Sequence, residues 1–225
     1  MRTLFVTGTG TGIGKTLVTA ALAYQLRAQG RRARVLKPVV TGLDDTPLGD
    51  SDPGVLLAAQ GETPTPESLA RVAPFRYGAP LAPAMAAARE GRPLSPEAIL
   101  TFCREAMAGP EDCLLIEGVG GLMVPMTERW TVADWLAALG VPALLVAGSY
   151  LGTLSHTLTA LEVLARRAIP VQGIIISESE EPTVGLAETI SALAPFTQAP
   201  ILGLPRLRGA EAWRRAPNLI PIAFP

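Results

Sequence analysis

A glycine-rich segment near the start of the chain has the composition of a phosphate-binding loop. Residues 8–16 read Gly-Thr-Gly-Thr-Gly-Ile-Gly-Lys-Thr, after a short apolar run and before a helical pattern. Glycines let backbone N–H groups turn toward phosphate oxygens, and the following helix N-terminus adds positive potential. In such a loop Lys15 reaches the β- and γ-phosphates and the Thr16 hydroxyl ligates Mg²⁺. The leading glycine, Gly8, lies one residue earlier than in the common motif, and no register fits a dinucleotide-binding GxGxxG.

Lysine is scarce, which draws attention to a second position. The chain has 19 basic residues, of which only Lys15 and Lys37 are lysines. Lys37 falls at the carboxyl end of the second predicted strand, where ligands bind in parallel α/β folds. A compact ammonium there can balance charge on a substrate or on a phosphoryl group in transfer. The alternative is a solvated lysine at a strand terminus.

Two acidic residues are candidates to complete a magnesium site with Thr16. Asp52 follows a loop rich in Gly and Asp, and Glu117 ends an apolar run that continues as Gly-Val-Gly-Gly. Protein-bound Mg²⁺ prefers hydroxyl, carboxylate and water oxygens. A charged residue between an apolar strand and flexible glycines is well placed to be a metal or phosphate ligand. Asp52, like Asp50, can alternatively cap a helix.

The remaining reactive side chains do not form a recognisable catalytic group. Cys103 and Cys113 fit neither a metal-binding CxxC pair nor a disulfide framework, so both are interpreted as core residues. The single histidine, His156, is predicted at the start of a helix, where capping or packing is favoured over catalysis. The N–H groups of that helix start are nevertheless suited to hold a carboxylate.

The elements that must position these residues alternate along the chain. Apolar segments rich in Val, Ile and Leu predict strands covered on both faces, at residues 3–7, 34–38, 113–119, 142–148, 171–177 and 200–204. Helical patterns cover residues 15–29, 55–60, 96–107, 132–139, 153–167 and 183–193. We expect a single domain over residues 1–225, a doubly wound α/β fold with a mainly parallel sheet and helices on both faces. The Pro-rich stretch 61–96 is interpreted as an excursion from that fold.

Composition limits the classes of partner. Apolar residues make up 48% of the chain and charged residues 17%, the net charge is −1, and no basic stripe is present. We therefore expect no nucleic-acid partner, because binding nucleic acid needs clustered Lys and Arg side chains to neutralise its phosphates. No apolar run is long enough for a membrane span, and the first residues lead into a strand rather than a signal peptide. We expect a cytoplasmic protein with no membrane partner.

Several segments, taken in order, resemble the dethiobiotin synthetases, a branch of the P-loop enzymes. The phosphate loop is common to many enzymes, whereas the Lys-Pro-Val and Glu-Gly-x-Gly-Gly elements are more specific to this family. The matching segments are residues 8–16, Lys37-Pro38-Val39 with Thr41-Gly42, Ser51-Asp52, Glu90-Gly91-Arg92-Pro93, residues 117–121 with Pro125, Ala133-Asp134-Trp135, and Leu151-Gly152 with His156.

The resemblance implies ATP-dependent carboxylation and ring closure of 7,8-diaminononanoate with CO₂, through a carbamate and a carbamic-phosphoric anhydride. Lys37 and Lys15 would be catalytic, and Thr16, Asp52 and Glu117 would hold Mg²⁺. Thr41 would bind the diamine, and its tail carboxylate would lie near Leu151, Gly152 and Ser155 of the partner in a homodimer. ATP would contact Gly12, Ile13, Gly14, Lys15, Thr16, Leu17, Asp52, Glu117, Gly118, Val119, Gly120, Ser177 and Pro205.

Some positions depart from that family pattern. Gly10 and Gly12 stand where relatives often carry acidic side chains, and Ser155 replaces an asparagine near the carboxylate site. Ser177 stands where an asparagine that reads the nucleobase is expected, so the preferred base stays open.

Three other classes of protein compete with this interpretation. A P-loop switch ATPase of the partitioning or site-selecting type would carry an additional lysine early in the loop, and none is present. An amidotransferase-type ligase would need a nucleophilic cysteine in a glutaminase domain, and neither Cys103 nor Cys113 is suitably placed. A nucleotide-binding module without catalysis would not need Lys37 and Glu117.

Overall fold

The computed structural model describes residues 1–43, 46–180 and 184–225. Its centre is a six-stranded parallel sheet with the strand order β2-β5-β1-β6-β7-β8, and β3 pairs with β4 in a separate parallel ladder. The strands are β1 (Arg2–Gly8), β2 (Ala33–Leu36), β3 (Val39–Val40), β4 (Phe75–Arg76), β5 (Cys113–Glu117), β6 (Ala143–Gly148), β7 (Val171–Ser177) and β8 (Ile201–Leu204).

Helices cover both faces of the sheet. Along β1, Leu4 and Val6 belong to a core shared with the first helix, while Phe5 points to the other face and stacks edge-on with Trp135. Burial on both faces explains why the strands are almost continuously apolar. The α-helices are α1 (Lys15–Ala28), α2 (Asp52–Ala59), α3 (Pro66–Val72), α4 (Pro83–Arg89), α5 (Pro96–Met107), α6 (Val132–Leu139), α7 (Thr153–Arg166), α8 (Leu186–Leu193) and α9 (Ile220–Ala223).

The predicted fold is confirmed, and all six predicted strands are present with small differences at their ends. Helix α2 begins three residues earlier than predicted, because the Ser51 hydroxyl caps it by accepting from the Gly54 N–H at 3.2 Å. Neither Asp50 nor Asp52 is the cap. Helix α8 begins at Leu186; its predicted first residue, Thr183, lies outside the described residues.

The Pro-rich excursion contains more regular structure than its sequence predicts. Proline occupies the first position of α3 and α4, where its missing N–H costs nothing. Strands β3 and β4 pair through Val39–Phe75 and Val40–Arg76 only. Two-residue strands carry too little periodicity to be recognised in a sequence, although this short ladder borders the residues around Lys37.

The C-terminal segment is fastened to the first helix. The side-chain amide of Gln25 donates to the Pro217 carbonyl at 2.8 Å, and its oxygen accepts from the Leu219 N–H at 2.8 Å. The guanidinium groups of Arg2 and Arg31 lie 5.1 and 5.6 Å from the ring centre of Phe224.

Across the described ranges, no helix combines the length and apolar character needed to cross a membrane.

Candidate active site

The glycine-rich loop joins the middle of the sheet to α1. Gly12 and Gly14 have φ values of +71° and +95°, which glycine adopts without strain. A Cβ on Gly14 would also lie 2.7 Å from the Ser177 Oγ. Gly14 precedes α1, and no side chain among the residues that the structure describes caps this helix, so its first N–H groups are available to an anion.

Four side chains meet beside this loop at the carboxyl ends of the strands. Lys37 lies one residue beyond β2, not within the strand as predicted, and its ammonium is 2.6 Å from Glu117 Oε1 and 2.8 Å from Asp52 Oδ2. The Thr16 hydroxyl donates to the same Glu117 oxygen at 2.8 Å. Lys37 also donates to the Gly118 carbonyl at 3.4 Å. The side chain of Glu117 is fully buried, whereas that of Asp52 is 46% exposed. We call Thr16, Lys37, Asp52 and Glu117 the polar cluster.

The pKa values of the two lysines shift in opposite directions. Burial, reinforced by the charge of Lys37, lowers the pKa of Lys15 to about 8. Burial would also lower the pKa of Lys37, but the carboxylates of Glu117 and Asp52 outweigh it and raise that pKa above its ordinary value. Burial opposes ionisation of Asp52, yet the Lys37 ammonium holds the Asp52 pKa below its usual value. Lys37 and Asp52 are therefore both charged at neutral pH.

The polar cluster has the donor set of a magnesium site. The second oxygen of Glu117, Oε2, is buried and has no hydrogen-bond partner among the described residues. Such an orphaned carboxylate oxygen is costly unless a ligand occupies it. Mg²⁺ is commonly held by one or two carboxylates together with a hydroxyl, water and substrate phosphates. No group of three or more His, Cys, Asp or Glu side chains gathers within the described part, so phosphate and water oxygens would have to complete the shell.

Two clefts share the loop residues Thr11, Gly12 and Gly14. The first, of about 370 Å³, contains the polar cluster together with Lys15, Val40, Thr41, Val119 and Gly120. The second, of about 380 Å³, is lined by Gly10, Ile13, Leu17, Tyr150, Ser177, Glu178, Ser179, Glu180, Pro205, Arg206 and Leu207. Most of the sequence-predicted nucleotide-binding residues thus lie in one cleft or the other. Gly118 lines neither and reaches the site through its carbonyl.

Three predicted substrate-binding residues lie outside both clefts. Leu151, Gly152 and Ser155 are at the N-terminus of α7, and Leu151 is 79% exposed. His156 is close by, with its Nδ1 2.9 Å from the Tyr150 hydroxyl. Cys103 and Cys113 are buried free thiols, in agreement with their interpretation as core residues.

Sequence reasoning missed one part of the second cleft. Tyr150, Glu178, Glu180 and Arg206 line it, although none was a candidate. Each follows β6, β7 or β8 within a few residues, so the rule that ligands bind at the carboxyl ends of parallel strands was the available signal.

Comparison with known proteins identifies the family. A family model described as an AAA domain matches residues 2–211. The chain is 50% identical over 199 residues to the ATP-dependent dethiobiotin synthetase BioD of Methylobacterium nodulans, covering 85% of this chain and 88% of that one. It is 49% identical over 214 residues to the protein of the same name from Caulobacter vibrioides, covering 94% and 96%. The chain belongs to the dethiobiotin synthetase family. The expected ATP-dependent ligase of biotin biosynthesis is therefore confirmed.

Solved structures agree with the dethiobiotin synthetase family at the level of the fold. The MinC:MinD cell division complex of Aquifex aeolicus matches with a TM-score of 0.58 at 13% identity, over 96% of this chain and 86% of that one. The receptor FtsY of Elizabethkingia anophelis matches with a TM-score of 0.53 at 14% identity; the chain spans 64% of its length. At these identities the likeness shows the P-loop fold alone.

Proposed function

We propose that this chain catalyses the ATP-dependent carboxylation and ring closure of 7,8-diaminononanoate with CO₂ to give dethiobiotin. The observation that carries the proposal is the polar cluster, in which a buried lysine and two carboxylates adjoin a phosphate loop. The names of relatives that are 49–50% identical support the ligase over a switch ATPase of the same fold. We propose residues 1–225 as a single catalytic domain.

The nucleotide is proposed to span the two clefts. Its triphosphate would lie against residues 12–16, with the Lys15 ammonium on the β- and γ-phosphates, and its base would lie near Ser177 and Pro205. Thr16, Asp52 and Glu117 would hold Mg²⁺, which supplies charge neutralisation for the phosphates. ATP is the default triphosphate because the relatives are named as ATP-dependent.

The chemistry requires positioning and charge, and no nucleophilic side chain. One substrate amine adds to CO₂ and loses a proton, which gives a carbamate. A carbamate oxygen attacks the γ-phosphorus and ADP leaves. The second amine then attacks the carbonyl carbon and loses a proton to solvent, and phosphate leaves as the ring closes. Lys37 stays protonated throughout and stabilises the negative charge on the carbamate and on the transferring phosphoryl group. Thr41, in the same cleft, is proposed to orient the diamine.

A cytoplasmic homodimer is proposed to complete the substrate site. Leu151, Gly152 and Ser155 would come from the partner subunit, where the N-terminus of α7 suits a carboxylate. Apolar side chains are exposed near that helix start, since Leu151 is 79%, Met123 48% and Leu154 38% accessible. A second copy of the chain would cover them. Small molecules are the only partners that this function needs; neither nucleic acid nor a membrane takes part.

The test is incorporation of labelled bicarbonate into acid-stable product with Mg-ATP and 7,8-diaminononanoate. We expect fixation that depends on each substrate and that matches phosphate release one to one. Reactions without diamine, without nucleotide or with the Lys37→Ala variant are the controls, and replacing ATP with other triphosphates reads the base preference. Nucleotide binding without any fixation would reject the synthetase function.

A further inference from the structure

The Glu90-Gly91-Arg92 segment has no part in the chemistry above, although it closes a network of contacts beside the substrate cleft. Gly91, at φ +62°, ends α4 in a left-handed conformation. The Arg92 N–H then returns to the Ala87 carbonyl at 3.0 Å and the Gly91 N–H to the Ala88 carbonyl at 3.3 Å, as in a Schellman motif. This turn brings the Arg92 guanidinium into a salt bridge with the Glu90 carboxylate.

Glu90 uses its other oxygen to hold a backbone turn. Its Oε1 accepts from the N–H groups of Gly78 and Ala79 at 2.8 and 3.3 Å. Arg92 fixes the same turn from the other side, since its guanidinium donates to the Arg76 carbonyl at 2.5 Å and lies 5.0 Å from the Tyr77 ring centre. Arg76 ends β4, and the Tyr77 N–H donates to the Val40 carbonyl at 3.0 Å; beyond that point the ion pair of Glu90 and Arg92 holds the turn.

The turn at residues 76–79 also contacts residues 40–43, which we call the substrate loop. The Gly42 N–H donates to the Ala79 carbonyl at 3.1 Å and the Leu43 N–H to the Tyr77 carbonyl at 3.4 Å. Gly42 has φ +79°, and a Cβ there would lie 3.2 Å from Pro80. The ladder between β3 and β4 ends at Val40. The hydrogen bonds of Gly42 and Leu43 therefore extend the contact between the two segments beyond Thr41.

We infer that Glu90 is a positioning residue for the diamine: through the 76–79 turn it fixes the substrate loop and with it Thr41. The inference rests on the proposed function for the identity of the substrate. Lys37 is anchored independently, by Glu117, by Asp52 and by its N–H on the Val72 carbonyl at 3.1 Å. Loss of Glu90 should therefore affect binding of the diamine more than phosphoryl transfer.

The test compares Glu90→Ala with Glu90→Gln and with Glu62→Ala. Glu62 forms an exposed ion pair with Arg71 at 2.8 Å in the same excursion and is the matched control. For Glu90→Ala we expect the KM for the diamine to rise roughly tenfold, with kcat and the KM for ATP near wild type. Glu90→Gln retains an acceptor oxygen for both N–H groups, so its KM should rise only about threefold. Glu62→Ala should match wild type.

Amide hydrogen exchange gives a second readout that does not depend on the substrate. In Glu90→Ala, amides of residues 42–43 and 78–79 should exchange faster than in Glu62→Ala, while those of α1 are unchanged. A diamine KM equal to that of Glu62→Ala, with unchanged exchange, overturns the inference. The inference is also overturned if Glu90→Ala weakens ATP binding as much as diamine binding and lowers thermal stability relative to Glu62→Ala. Glu90 would then support the whole domain. A wild-type protein that fixes no bicarbonate rejects the proposed function, and the exchange comparison still decides whether Glu90 holds the loop.

Discussion

The two lysines of the cleft are close neighbours in opposite surroundings. Lys15 donates to the Gly10 carbonyl at 2.6 Å and has no carboxylate within salt-bridge distance among the described residues. Lys37 contacts two carboxylates. Burial therefore lowers the pKa of Lys15 to about 8, while the pKa of Lys37 is raised in spite of burial. A bound anionic ligand would balance the charge of Lys15, whereas the charge of Lys37 is already balanced by carboxylates of the protein.

The difference predicts that the two lysines contribute to different properties of the enzyme. Burial disfavours the charged form of Lys15 in the free protein, and bound polyphosphate would stabilise that charged form. Lys37 is part of the folded framework, because its ammonium forms ion pairs with Asp52 and with the buried Glu117.

Replacing Lys37 with methionine should have the largest effect. Turnover should fall by about three orders of magnitude or more, because the transferring phosphoryl group loses its cation. The free energy of unfolding should fall by about 3 kcal/mol, because Glu117 is left as a buried, unpaired carboxylate. Nucleotide affinity should change little. Steady-state kinetics, urea denaturation and titration with a fluorescent ATP analogue measure the three quantities.

Two further variants sharpen that result. Adding Glu117→Gln to Lys37→Met should recover part of the lost stability and none of the turnover. Lys15→Met is the matched control: it should leave the stability equal to or above wild type while weakening nucleotide binding. Equal destabilisation by Lys15→Met and Lys37→Met would contradict the contrast between the two sites.

Glu117→Gln should have an intermediate effect, on the metal requirement. The Glu117 carboxylate offers a buried oxygen that has no partner within the described part of the chain, and the neutral amide is a poorer Mg²⁺ ligand. We expect the magnesium concentration for half-maximal turnover to rise by roughly tenfold. A magnesium titration at fixed ATP measures it, and Glu62→Ala serves as the control. An unchanged titration would remove Glu117 from the metal site.

The smallest effect is a proton linked to nucleotide binding. The pKa of Lys15 is about 8 in the free protein, and bound polyphosphate favours the charged form and so raises it. Binding at about pH 8.5 should therefore take up a fraction of one proton, and affinity should fall as the pH rises through 8. Calorimetry in buffers of different ionisation enthalpy measures this uptake. Lys37 adds none, because its raised pKa keeps it protonated in both states; an uptake that persists in Lys15→Met would assign the proton elsewhere.

Local patterns predicted the framework around both lysines. The run of apolar residues in β5 identifies a strand covered on both faces, and Glu117 is conspicuous because it interrupts that pattern. The excursion was harder to predict, because β3 and β4 contain two residues each and pair across 36 residues of chain. Hydrogen bonds between residues 77–79 and residues 40–43 extend this pairing, and no local periodicity encodes such tertiary contacts.

By itself, the amino-acid sequence determined the parallel α/β fold, the phosphate loop and the candidate roles of Thr16, Lys37, Asp52 and Glu117. Backbone propensity, burial pattern and glycine placement are local properties, so they can be read along the chain. The tertiary structure alone decided that Lys37 and Glu117, 80 residues apart, share one buried ion pair. It also decided which lysine is neutralised, because a pKa depends on the distances between charges and on their burial, and folding sets both.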